Sequence, residues 1–123
     1  MGFDEGALKS IEVKLKIEIP PVYRRFLLDF PGSLVTGKET GVFYSVDQIV
    51  RSTEASRSYQ EPDWPQPFPL NLLAVGWNGG GSIYCVREGE PGNMVYLFSH
   101  ERGDVDPSET LTLETFIALW GSE

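Results

Sequence analysis

This chain has one cysteine, one histidine and no long apolar run. Cys85 alone can form neither an internal disulfide nor an all-cysteine zinc site, so it is expected to be a small core residue in a reducing compartment. No window approaches the ~18 consecutive apolar residues of a membrane span. The first residues, Met1-Gly2-Phe3-Asp4-Glu5, form neither the basic n-region nor the apolar h-region of a secretory signal. Gly6 stands where N-myristoylation needs Ser or Thr. A cytoplasmic protein without a membrane partner is expected.

Bases are scarce in the last third. Residues 88–123 hold Glu88, Glu90, Glu101, Asp104, Asp106, Glu109, Glu114 and Glu123 against Arg102 alone. The rest of the chain is close to balanced, so this third carries most of the net charge of -8. Such a surface repels nucleic-acid phosphate and anionic lipid, and steers a cationic partner toward itself. Acidic loops also serve plain solubility, and charge alone does not separate the two roles.

The residues that are present describe one domain over residues 1–123. A first helix over residues 4–14 is expected from Leu8, Ile11 and Leu15, with Val13 and Ile17 extending its apolar side. Pro20 and Pro21 suit the start of a second helix, where a missing N–H costs nothing. Tyr23, Phe26, Leu27 and Phe30 form its single stripe, and Pro31-Gly32 stops it. After a turn at residues 37–41, Val42-Phe43-Tyr44 reads as a short strand, and Ser45 caps a helix burying Val46, Ile49 and Val50. Pro62, Pro65, Pro67 and Pro69 then enforce an extended connector that Trp64 and Phe68 can pin.

From Asn71 the pattern becomes strand. Residues 72–75, 83–86 and 94–98 read as an antiparallel meander, joined by a glycine turn over 76–81 and by Pro91-Gly92-Asn93. An acidic loop over 101–109 follows. Thr112 caps a last helix that buries Leu113, Phe116, Ile117 and Trp120. Helices at the N-terminus, middle and C-terminus packed on an antiparallel sheet make an α+β domain.

Catalytic patterns are weak. Gly79-Gly80-Gly81 lacks the Lys-Ser/Thr pair of a phosphate loop and leads into a strand, which supplies no helix dipole. His100 has Cys85, Ser99 and Ser108 as sequence-level partners for nucleophilic chemistry, but no nucleophile signature surrounds any of them. Glu101, Asp104 and Asp106 beside His100 lack the spacing of a calcium loop. No catalytic, cofactor or metal residue is assigned, and the expectation is a non-enzymatic binding domain without cofactors.

Several segments resemble one family in order along the chain: Ile11-Glu12 through Leu15; Ile17-Glu18-Ile19-Pro20 into Val22-Tyr23-Arg24-Arg25-Phe26-Leu27; and Ser45-Val46-Asp47-Gln48-Ile49. They continue with Leu73-Ala74-Val75-Gly76 before Asn78-Gly79-Gly80-Gly81, then Val95-Tyr96-Leu97-Phe98-Ser99-His100-Glu101, and finally Leu113-Glu114-Thr115-Phe116-Ile117-Ala118-Leu119. Together they resemble the SUKH superfamily, which includes Smi/Knr-type cell-wall assembly regulators and bacterial toxin-immunity proteins. Ser82, Pro21 and the connector at 64–69 depart from its pattern.

The resemblance implies an α+β SUKH fold, no conserved catalytic machinery, and a protein partner: a cognate toxin, often a nuclease. The alternative it implies is a regulatory or scaffold domain holding a cellular protein, or a small ligand in a groove lined by Trp77, Tyr84 and Tyr96. The expected partner-binding residues are Glu88, Glu90, Glu101, Asp104, Asp106 and Glu109, with Trp77 or Tyr96 as an aromatic anchor.

Overall fold

Each of the four helices among the described residues starts where a polar side chain or a proline meets an unsatisfied backbone end. The structure is a computed structural model and describes residues 3–38, 40–59 and 61–121. Met1, Gly2 and Glu123, named above, lie outside the described residues. The Asp4 carboxylate accepts the Ala7 N–H at 2.7 Å and caps α1 (Glu5–Leu15), which buries Leu8, Ile11 and Leu15. Val13 lies two residues from both Ile11 and Leu15, about 200° around the helix, and is exposed, against expectation. Lys16 ends the helix in the left-handed region (φ 54), and the reversal carries Ile17 into the core.

The Pro20-Pro21 pair opens α2 (Pro21–Leu28), which buries Tyr23 and Leu27. Phe26, only partly buried, sits between the rings of Tyr23 (5.5 Å) and Phe30 (5.2 Å). Ser45 Oγ accepts the Gln48 N–H at 3.1 Å at the start of α3 (Val46–Ser58), and the Gln48 side chain accepts the Tyr44 N–H at 2.7 Å in return. Thr112 likewise caps α4 (Leu113–Trp120), which buries Leu113 and Phe116 and leaves Ile117 and Trp120 half-buried.

The strands are β1 (Gly41–Val42), β2 (Leu72–Trp77), β3 (Ile83–Arg87), β4 (Met94–Ser99), β5 (Asp104–Val105) and β6 (Leu111–Thr112). They form one antiparallel sheet in the order β1-β2-β3-β4-β5, with β6 also paired to β4. The expected meander is therefore its centre, with a short strand added on either side.

β1 covers Gly41–Val42 rather than the expected 42–44, and two further boundaries differ from expectation. The chain does not turn at Gly76. Gly76 pairs with Tyr84 and Trp77 with Ile83, after a register shift between Ala74 and Gly76. A Cβ at Gly76 would lie 2.7 Å from Phe116 Cζ, so this glycine makes room for a ring. Gly79 (φ 84) and Gly81 (φ 101) make the turn. The acidic stretch 101–109 is not simply a loop either. After the β4–β5 turn the chain runs back along β4, pairing at 104–105 and again at 111–112, with a 3-10 turn at Pro107–Glu109 between. This break keeps the sheet edge short.

The sheet separates two cores. The larger joins Leu8, Ile11, Tyr23, Leu27 and Phe116 to sheet residues such as Tyr84, Val86, Val95 and Leu97. The smaller lies on the opposite face, where Trp64 and Phe68 of the proline connector cover Leu72, Cys85 and Phe98. Thr53 of α3 is fully buried, and its Oγ1 accepts the Ala74 N–H at 3.0 Å, satisfying a β2 donor that β1 is too short to reach.

Candidate functional site

The eight expected contact residues fall into three places. Glu88 and Glu90 occupy the β3–β4 turn, and both carboxylates are already engaged. Glu88 Oε2 accepts the Glu18 N–H at 2.7 Å. Glu90 accepts the Tyr96 hydroxyl at 2.6 Å and lies 3.6 Å from Arg87, whose guanidinium stacks over the Tyr96 ring at 4.4 Å. The structure thus brings Glu90 and Tyr96 together as one cluster with Arg87. Burial, then the bond to the Glu90 carboxylate and that group's charge, push the Tyr96 phenol upward against the opposing pull of Arg87.

Glu101, Asp104, Asp106 and Glu109 lie at the other end of β4 and along the outer edge strand. Arg102, the base of that stretch, reaches Asp104 at 3.0 Å and Asp106 at 3.6 Å. Asp106 also accepts the Ser108 hydroxyl at 2.7 Å and the Ser108 N–H at 3.0 Å. These two bonds, with Arg102 behind them, hold its carboxyl below the usual range. Glu101 and Glu109 are exposed. Four acids against one base leave this edge negative.

Trp77 stands apart from both groups. It ends β2 and faces a groove between α3 and the sheet face that carries the smaller core. One half of the groove, about 530 Å³, is lined by Phe43, Asp47, Arg51, Ser52 and Trp77. The other half, about 350 Å³, is lined by Tyr59, Trp64, Phe68, Phe98 and His100. Both halves share Ala55, Ser56 and Ile83 and so form one channel of ligand-site size. The expected groove of Trp77, Tyr84 and Tyr96 does not form. Strand alternation puts Tyr84 on the opposite face, 5.0 Å from Phe116 and 5.6 Å from Trp120. Burial raises its phenol above the ordinary range, against the pull of a bond with Trp120.

The nucleophile candidates also resolve. Cys85 is fully buried, and desolvation raises its thiol far above the ordinary value, so no thiolate forms near neutral pH. The histidine's hydroxyl neighbour is Ser82, whose Oγ lies 3.4 Å from His100 Nδ1. Ser99 Oγ accepts the Arg102 N–H instead, and the Ser108 hydroxyl donates to Asp106. Sequence reasoning missed Ser82 because strand register, not spacing, brings it to His100. It also missed α3 as a groove wall. Among the described residues no group of three or more His, Cys, Asp and Glu side chains is placed to hold a metal ion.

Four helices and six antiparallel strands among the described residues, with helices packed on the sheet, define an α+β domain carrying a surface groove and a negative edge. The chain belongs to the SMI1 / KNR4 family (SUKH-1), whose family model matches residues 2–118. No curated protein and no solved structure matches it. No helix among the described residues is long and apolar enough to cross a membrane.

Proposed function

We propose that this domain is a non-enzymatic cytoplasmic binding protein, an immunity protein that neutralises a cognate toxin with a basic surface, such as a nuclease. The observation that carries this reading is the negative edge formed by Glu101, Asp104, Asp106 and Glu109, where Arg102 is the lone base and is held between two of the acids. A nuclease needs a positive surface to hold its substrate. A rigid row of carboxylates on a sheet edge can occupy that surface and gains a fast, electrostatically steered approach. Glu88, Glu90 and Tyr96 then support the scaffold more than the contact, because their polar groups are spent within the protein. The buried Cys85 and a Ser82–His100 contact at 3.4 Å, with no carboxylate bonded to the imidazole among the described residues, also favour binding over catalysis.

The test is capture of the partner with tagged protein at low salt, followed by association kinetics. The Glu101→Lys/Asp104→Lys/Glu109→Lys variant should associate at least tenfold more slowly, and raised salt should slow the wild type in the same way. An unchanged on-rate would remove the edge from the interface. The groove beside Trp77 favours a second reading, a regulatory or scaffold domain of the Smi/Knr type. That reading predicts a salt-resistant cellular partner.

A further inference from the structure

The groove beside α3 is mixed in polarity at its Trp77 end and mainly apolar at the other, and the two ends differ in charge. At the Trp77 end the titratable side chains are Asp47 and Arg51, paired with each other at 3.3 Å. The other end is walled by an aromatic chain: Tyr59 meets Trp64 at 5.5 Å, Trp64 meets Phe98 at 5.4 Å, and Phe98 meets Phe68 at 4.8 Å. Tyr59 is the exposed member. Its hydroxyl donates to Glu61, and Asp63 precedes Trp64 directly. The Trp64 indole N–H donates to the His100 carbonyl at 2.7 Å and anchors this wall to the end of β4.

The neighbouring guanidinium groups are committed elsewhere. Arg57 donates to the carbonyls of Leu15 and Leu70, and Arg102 is held by Asp104 and Asp106. An exposed ring face beside the Glu61 carboxylate complements a planar cation.

We propose that the groove binds an extended segment of a protein partner, with an arginine on the Tyr59 shelf and an apolar side chain against Trp77. The dimensions agree: α3 is 13 residues long, about 20 Å at ~1.5 Å per residue. That is the reach of five to six residues of extended chain at ~3.3 Å each. Sheet-edge addition is the less suitable mode, because β1 is two residues long and Thr53 takes the β2 N–H beyond it. The assignment rests on the partner-binding reading above but names a surface other than the acidic edge.

The probe is the pentapeptide acetyl-Leu-Ala-Ser-Ala-Arg-amide, titrated into the whole chain and read by NMR at the indole N–H groups of Trp64 and Trp77. Saturable shifts at both are expected. The same peptide with citrulline, neutral and nearly isosteric, should bind about tenfold more weakly, because it forgoes the cation–aromatic and carboxylate contacts. The surface variant Glu61→Gln should lower affinity for the arginine peptide and leave the citrulline peptide unchanged. Equal affinity for the two peptides would overturn the arginine assignment, and absence of saturable shifts would overturn the groove. If the groove fails while the captured partner still responds to the acidic-edge variant, the proposed function stands without it. Peptide binding beside an on-rate indifferent to the edge variant would reverse that outcome.

Discussion

At the scale of single residues, the Tyr23 hydroxyl works against folding. Tyr23 is almost completely buried and its hydroxyl has no hydrogen-bond partner among the described residues. A buried hydroxyl left unpaired costs about 1–3 kcal/mol of desolvation. Tyr23→Phe keeps the ring and its tilted contact with Phe26 while removing that cost, so urea unfolding should show stability unchanged or raised by about 1 kcal/mol. A loss of more than about 1 kcal/mol would mean that the hydroxyl is bonded in solution. Thr53 is the opposite case, since its buried hydroxyl accepts the Ala74 N–H at 3.0 Å. The sequence distinguishes the two poorly. A tyrosine on an apolar stripe and a threonine inside a helix show their type and period, but not whether a partner atom waits across the core. Caps are more legible: Ser45 and Thr112 bond backbone groups three residues on, so local order alone places them.

At the scale of elements, the proline connector is what makes the second sheet face. Its hold depends on Gly103, whose φ of 74 suits glycine and whose missing side chain leaves space that the Trp64 indole fills. Gly103→Ala adds a methyl against that ring and strains the β4–β5 turn. It should cost roughly 2 kcal/mol or more, and a lowered Tm with altered Trp64 fluorescence would report it. An unchanged Tm and emission would mean that the connector does not rest on this turn. The aromatics of the connector were legible before its position was, because four prolines rule out a helix and Trp64 and Phe68 require cover. The end of β2 was not legible. A glycine after four apolar residues reads as a turn, and only the Phe116 ring, forty residues away in the chain, shows why Gly76 belongs to the strand. The same non-local cause hid β5 and the groove. Acidic residues and a proline mask two short pairings with β4, and α3 becomes a wall only once β2 and β3 lie beside it.

At the scale of the whole molecule, two buried ionisable groups sit on opposite sides of the sheet and report on the same unfolding event. Cys85 lies in the smaller core and Tyr23 in the larger, and desolvation raises both well above their ordinary values of 9.0 and 10.0. The native state therefore keeps both protons in alkali while the unfolded chain releases them. The unfolded state then binds fewer protons, so stability falls as pH rises; it is fully present below the unfolded values and is lost above them. The loss should begin near pH 9 with Cys85 and steepen near pH 10 as Tyr23 joins, each group adding about 1.4 kcal/mol per pH unit. Repulsion within a chain of net charge -8 also grows in alkali, but it is common to the wild type and to variants at these uncharged sites. The difference between them isolates the buried groups. Urea-derived stabilities between pH 7 and 10.5 should show Cys85→Ala flattening the fall that starts near pH 9, and Tyr23→Phe flattening only the part above pH 10. Both effects should appear in one cooperative transition, because the β3 and β4 strands belong to both cores. Separate transitions for the two variants would show instead that the connector face unfolds apart from the helical face, and that the groove can open while the rest of the fold stays intact.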